Sequence, residues 1–383
     1  MVKKAIFILA LIAGSAYACQ KARNQVDYTE EKGVDIITNH SENNRSTKHK
    51  VFKLIQERII DLSTAELVQH GLTDPAGFDV DTDGTIFVWN QLSNQNHIFR
   101  LDSEGHFISA FGRTGQGPGE IQFLTSLRLD NNSLLAIDTE QRKLVFYDKT
   151  GVFLEQRIMQ TSLPAVIPLY KGYYITIDQS VAPGDYYSRI GINIVNHEFN
   201  LISEIGEWRY YRPNPEREFP AINPTGFIGY SKENIYFANS EDGYEVKCFD
   251  LSGKLKRVIR KDFVPVSVSK DYIEALREKY SRFPPEIASR IIYPKNLPPF
   301  QTGFADENGR LFVMTYEESD RRGNYWHDVF DKEGIFIGRV SISNYGTYGR
   351  SQGFLFSMAK NGHLYYLHEK PDGLKELVIS TVK

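Results

Sequence analysis

One pattern constrains this chain more than any other: an apolar, strand-like segment that returns six times. It opens after a tight polar turn and runs Gly84–Asn90, Asn132–Asp138, Gly172–Asp178, Glu233–Asn239, Gly309–Thr315 and Gly362–His368. The segments are nearly continuous apolar runs, whereas a strand with one wet face would alternate. Strands covered on both faces read this way. A second element follows most of them, a turn of the form Asp-x-x-Gly set between two strands. Its copies are Asp102 to Gly105, Asp148 to Gly151, Asp250 to Gly253 and Asp331 to Gly334. The Asp side chain caps such a turn, and Gly takes the left-handed backbone position that starts the next strand. A fifth copy, Asn196 to Phe199, puts Phe where Gly belongs, which predicts a distorted or longer hairpin.

Six first halves thus stand beside five hairpins, and the last repeat stops shortly after Glu376–Ser380. An unpaired strand edge invites aggregation. Residues 53–62 form a spare strand ahead of the first full repeat, and they are expected to pair with 375–380 and close a ring. The expected fold is all-β: a six-bladed β-propeller whose N-terminal strand closes the last blade, with a small helical insertion at about 269–292. Ser269 is a good N-cap for that insertion, and Tyr272, Ile273, Leu276 and Tyr280 share one helical face. Pro284 and Pro285 end the helix, Glu286 to Ile292 suggest a second turn, and the whole reads as a lid on the propeller rim.

The first full unit carries a family likeness. Phe78–Val88, Ile98–Gly105 and Phe111–Glu120 resemble NHL-type repeats, and residues 51–383 look like the six-bladed propeller lipoproteins of Gram-negative bacteria. The resemblance implies the fold and says little about activity. Six-bladed propellers also include calcium-dependent lactonases and zinc-dependent lyases, which place Glu, Asn, Asp or His around the central channel. That class is the enzymatic alternative, and no cofactor is identified from the residues themselves. The nine histidines are scattered, with no H-E-x-x-H, no Cys/His cluster and no G-x-S-x-G elbow. His97, His327 and His368 are the ones a common rim would gather. The glycine-rich stretch Gly112–Glu120 is no phosphate loop, because Glu120 takes the third-glycine place and a strand, not a helix, follows. It reads as a crossover between blades.

The N-terminus has the pattern of export. Lys3 and Lys4 precede a short apolar run, and Ala16-Tyr17-Ala18 supplies small residues for cleavage, so residues 1–18 read as a signal peptide. Cys19 directly follows and resembles a lipobox cysteine, which implies acylation, a membrane partner and a place in the cell envelope, periplasmic or surface-exposed. Residues 19–50 are polar and aperiodic, and they are expected to form a disordered tether reaching about 30 Å. The full chain carries a net charge of −3, and loss of Lys3 and Lys4 makes it more acidic still. Nothing in this balance favours a polyanion, and no nucleic-acid partner is expected. Cys248, the second of two cysteines, lies in an apolar run and reads as a buried small hydrophobe.

Loop length points to the binding face. In a blade, the turns joining strands one–two and three–four share one face, and here they are short. The long connections, 112–124, 178–189, 206–225, 261–300, 316–324 and 341–352, fall on the other. Long loops on a rigid scaffold usually carry function. These hold Tyr186, Arg209, Arg217, Arg321, Arg322, Tyr345, Tyr348 and Arg350, and above all Trp208, Tyr210, Tyr211 and Arg212 in a proline-stiffened crossover. Trp, Tyr and Arg are the usual anchors of binding surfaces. The expected site is a cleft at the channel mouth, rimmed by Trp208, Tyr210, Tyr211, Arg212 and Tyr187, with Arg113 and Glu120 or the 269–293 insertion opposite. A binding or assembly module for a glycan, peptide or partner protein follows from this reading.

Overall fold

Both faces of each repeat segment are apolar, so each must be covered by a neighbouring sheet, and the chain meets that demand by arranging six sheets around an axis. The computed structural model describes residues 26–40, 50–130, 132–159, 165–320, 323–343 and 357–383. Blade 1 runs Pro75–Val80, Ile86–Asn90, Asn96–Leu101 and Phe107–Arg113; blade 2 runs from Leu124–Asp130 to Phe153–Ile158. Blade 3 consists of Ala165–Pro168, Tyr173–Ser180, Tyr187–Asn196 and Leu201–Tyr211. Blade 4 spans Gly226–Tyr230 to Leu255–Lys261, and blade 5 spans Thr302–Ala305 to Phe336–Ser343. Blade 6 has Ser357–Lys360, His363–Glu369 and Lys375–Val382, and its outer strand is Leu54–Asp61 from the other end of the chain. The closing register runs from Glu376 opposite Asp61 to Val382 opposite Leu54, as the repeat arithmetic requires.

The core lies between blades. In the second strand of blade 1, Ile86 and Val88 pack with Tyr365 and Leu377 of blade 6, while Phe87 and Trp89 pack with Leu127 and Leu134 of blade 2. The period of two therefore survives, with apolar residues on both sides. Each of the six blade interfaces has such a cluster, and a seventh lies under the helical insertion.

The hairpin turns are held as their composition suggests. Asp148 accepts the backbone N–H of Thr150 and Val152 at 2.8 and 2.9 Å, and Gly151 sits at φ +96°. The fifth copy keeps the turn of the others, and its irregularity lies in the strands, which are longer and shift register twice, between Ile192 and Asn193 and between Ile194 and Val195. Asn196 accepts the N–H of Glu198 and Asn200 at 3.0 and 2.9 Å, and Phe199 itself takes the left-handed position at φ +65°. Its ring stacks on Tyr174, centroids 5.3 Å apart and nearly parallel, and that contact offsets the strain.

The expected disordered tether over 19–50 is corrected for 26–39. Val26–Glu31 and Val34–Asn39 form a hairpin through Lys32 and Gly33, both at positive φ. Its second strand lies parallel to Leu255–Lys261, so blade 4 is extended to six strands. Ile36 and Ile37 are buried there. The Asn39 amide donates to the carbonyls of Arg260 and Gly334 at 3.1 and 3.0 Å and accepts the Phe336 N–H at 2.8 Å, which bridges blades 4 and 5. Val51–Phe52 then adds to the outer edge of blade 5 before Leu54–Asp61 completes blade 6. The N-terminal segment thus fastens three successive blades from outside. The signal peptide and Cys19 lie outside the described residues.

The insertion forms a helix, Lys270–Tyr280, and Ser269 Oγ caps it by accepting the Tyr272 N–H at 3.1 Å. A short second helix, Pro285–Ala288, follows. Ile291–Ile292 pairs in parallel with Phe219–Pro220, and the Tyr280 hydroxyl donates to the Ala221 carbonyl at 3.0 Å. The insertion therefore packs on the crossover from blade 3 to blade 4.

Candidate functional site

Blade 3 departs from its neighbours in the length of its last two strands, ten and eleven residues against six and six in blade 2. Residues 206–211, expected as loop, are therefore strand, and a strand sends successive side chains to opposite faces. The register pairs Tyr187 with Tyr211, Ser188 with Tyr210, Arg189 with Arg209 and Ile190 with Trp208. Ile190, Ile192 and Ile194 belong to the core shared with blade 4, so Trp208 and Tyr210 point that way. Tyr187, Arg189, Arg209 and Tyr211 occupy the opposite face, on the side of blade 2. The corresponding turn of blade 2 is only Thr139–Arg142, so the end of this ribbon stands clear.

This alternation divides the expected site. The Trp208 ring stacks near Phe237, centroids 6.1 Å apart, and a side chain at Gly226 would collide with it. Trp208 is thus inter-blade packing, and the channel-mouth cleft built around it is corrected on that ground. Tyr210 shares its side and is exposed. Arg212 Nε donates to Ser188 Oγ at 2.9 Å and ties the start of the crossover to the ribbon. Arg113 and Glu120 stand in a separate place, the crossover from blade 1 to blade 2, where they approach to 3.7 Å. There the Glu120 carboxylate accepts the Gly117 N–H at 2.9 Å, and Tyr147 and Gln141 donate to the carbonyls of Gly119 and Gly115. That loop is a braced crossover, as its sequence suggested.

What remains is a compact Tyr/Arg cluster. Tyr186, Tyr187 and Tyr211 have mutual centroid distances of 5.6 to 5.7 Å. Guanidinium groups lie over their faces: Arg217 over Tyr186 at 5.2 Å, and Arg209 and Arg189 over Tyr187 at 5.2 and 5.7 Å. Asn223 brackets the Tyr211 backbone, accepting its N–H at 2.6 Å and donating to its carbonyl at 3.2 Å, which anchors the end of the strand. Asp185 lies 3.5 Å from Arg189. Arg189 and Asp185 were not among the expected site residues. The clean alternation of polar residues with Ile from Tyr187 to Ile194 carried the signal for a strand there.

The histidines that a rim metal would need are dispersed. His97 is buried with Nδ1 3.2 Å from the Asn90 carbonyl. Burial lowers the His327 pKa to about 4, and its Nδ1 lies 3.1 Å from the Tyr325 carbonyl. His368 pairs with Glu376 at 2.8 Å. Among the described residues no three His, Cys, Asp or Glu side chains gather as a metal site would. Burial raises the Cys248 thiol to about 11, which leaves it protonated and unreactive. Arg321, Arg322, Tyr345, Tyr348 and Arg350 lie outside the described residues.

Residues 24–237 match the family model DUF5128, described as a 6-bladed beta-propeller. The chain belongs to this family. No curated protein matches it. Among solved structures, a Bacteroides fragilis protein described as exported aligns over 91% of this chain and 99% of its own, with 12% identity and a TM-score of 0.52. A Bacteroides vulgatus member of the duf4221 family aligns over 88% and 99%, with 13% identity and a TM-score of 0.50. At such identities the likeness is one of fold alone.

Proposed function

We propose that this DUF5128 chain is an exported, lipid-anchored binding module that presents the overhanging ribbon of blade 3 to a glycan, peptide or partner protein. The observation that carries the reading is the ladder of Tyr187–Tyr211 and Arg189–Arg209 pairs on one exposed face. Aromatic and arginine side chains are the costly, rigid groups that binding surfaces concentrate, and here the two arginines are exposed and the two tyrosines half-buried, Tyr211 packing against the cluster under the insertion. Asn223 and the helical insertion hold the ribbon's end in place, which reduces the entropy lost on binding. Cys19 supplies the membrane attachment in this reading, with the cell envelope as the location.

Two linked measurements test it. Glycan and peptide arrays probed with residues 26–383 should give ligands whose binding is lost in Tyr187→Ala while the melting temperature holds. Cys19→Ser should move the full-length protein from the membrane to the soluble fraction. Array ligands indifferent to Tyr187 would sink the site, unchanged membrane partition would sink the anchor, and stoichiometric calcium or zinc in purified protein would favour the lactonase or lyase class instead.

A further inference from the structure

Arg189 and Arg209 are directly opposite one another in an antiparallel pair, and both are exposed. Like charges in that relation repel and cost a sheet stability. Neither arginine belongs to the core on either side of blade 3: the cluster shared with blade 2 takes Val166, Tyr174 and Val195, and the one shared with blade 4 takes the isoleucines of the opposite face. Asp185 lies near Arg189, and Arg217 adds a further guanidinium over Tyr186. Guanidinium groups lie 5.2 to 5.7 Å from the ring centres of Tyr186 and Tyr187, so a neutral sugar stacking there would compete with them. What the ribbon offers outward is planar, always-charged donors beside the rings, together with phenol hydroxyls.

Flat guanidinium groups recognise carboxylates by paired hydrogen bonds. Peptide anchors, by contrast, need a desolvated apolar socket, and the ribbon is an open surface of charged and phenolic groups. We infer that the ribbon of blade 3 binds a carboxylate-bearing acidic glycan, with Arg189 and Arg209 gripping the carboxylate and Tyr187 and Tyr211 contacting the sugar hydroxyls. The inference rests on the ribbon being the binding site, as proposed above, and adds the class of ligand.

The probes are polygalacturonate fragments, the same fragments fully methyl-esterified, and poly-L-glutamate, each titrated against residues 26–383. The acid fragments should bind, weaken as salt is raised, and lose at least tenfold in affinity in Arg209→Gln and in Arg189→Gln. Those variants should keep the melting temperature, because both side chains are exposed and the acids near them, Asp185 and Glu207 by Arg189 and Glu241 by Arg209, form only surface pairs with them; a purely structural role would lower it. Failure of the acid fragments to bind, or equal binding of the ester or of poly-L-glutamate, overturns the acidic-glycan assignment. If the ester binds and only Tyr187→Ala abolishes it, the site stands and the ligand class falls. If no bound probe responds to Tyr187 or to either arginine, the site falls as well.

Discussion

Asp328 is fully buried between blades 4 and 5, and four other side chains gather around it. Its carboxylate meets Lys261 Nζ at 3.2 Å, Arg339 Nε at 2.6 Å and the Tyr244 hydroxyl at 2.7 Å. Arg339 turns its remaining nitrogens to Glu317 in a two-pronged contact of 2.6 and 2.9 Å. Burial pushes the Tyr244 pKa well up, with the Asp328 charge adding to it, so Tyr244 remains a donor at any ordinary pH. The group is a polar lock in an otherwise apolar interface. Its net contribution over a well-packed apolar substitute is small, since desolvation offsets the attraction, but removing one member strands the others. Asp328→Ala is therefore expected to lose roughly 3–5 kcal/mol, read as a drop in the urea midpoint. A loss below about 1 kcal/mol, the scale of a surface ion pair, would mean that water already screens the cluster.

The N-terminal hairpin shows how an element escapes a reading of composition. Only Ile36 and Ile37 are buried hydrophobics in it, too few to mark a folded segment against polar flanks. Its partner, Leu255–Lys261, is more than two hundred residues away, so no local pattern announces the pairing. Trp208 misleads for a different reason. Its neighbours in sequence are not its neighbours on a face, and a boundary shifted by a few residues converts a loop cluster into two opposite surfaces. The Asp-x-x-Gly turns, by contrast, were readable to the residue because one carboxylate and one backbone angle make each of them. At the hairpin's base His40 faces a carboxylate from each ring nitrogen, Asp262 and Asp27, both at 2.9 Å. These hydrogen bonds raise its pKa, the one from Asp262 most. A raised native pKa contributes stability that is complete below the unfolded value of about 6.5 and disappears as pH rises through the native one. The site is partly exposed, so the effect is under about 1 kcal/mol. Amide protection in 26–39, corrected for intrinsic exchange, should fall as pH climbs past neutrality. His40→Gln should flatten that trend, and an unchanged slope in the variant would remove the histidine from the fastening.

A ring needs each interface, and the whole molecule depends on the one joined by the two ends of the described chain. The six-fold repeat made this closure legible, because five hairpins cannot complete six blades and only residues 53–62 offer the missing strand. The structure adds that the closing strands also meet at their ends: the Lys53 N–H donates to the Lys383 carbonyl at 2.8 Å, and the Lys383 N–H donates to the Lys53 carbonyl at 3.0 Å. Lys375–Val382 and Leu54–Asp61 are thus an antiparallel pair that lacks only a turn. Deleting 51–62 uncovers Leu377 and Ile379 and removes Ile60 and Phe52 from two blade interfaces, so the protein should lose most of its stability or fail to fold. Failure alone would be ambiguous, and a permutation resolves it. A chain beginning at Ser63 and continuing from Lys383 through a two-residue Asn-Gly turn into residues 53–62 makes the closing pair a local hairpin. The reference is a chain beginning at Lys53, since both lack the N-terminal hairpin. The permutant should melt within a few degrees of that reference, and the version without the grafted strand should not fold. A permutant as unstable as the deletion would show that the strand works by its connection to the N-terminal belt, and that the pairing alone does not close the ring.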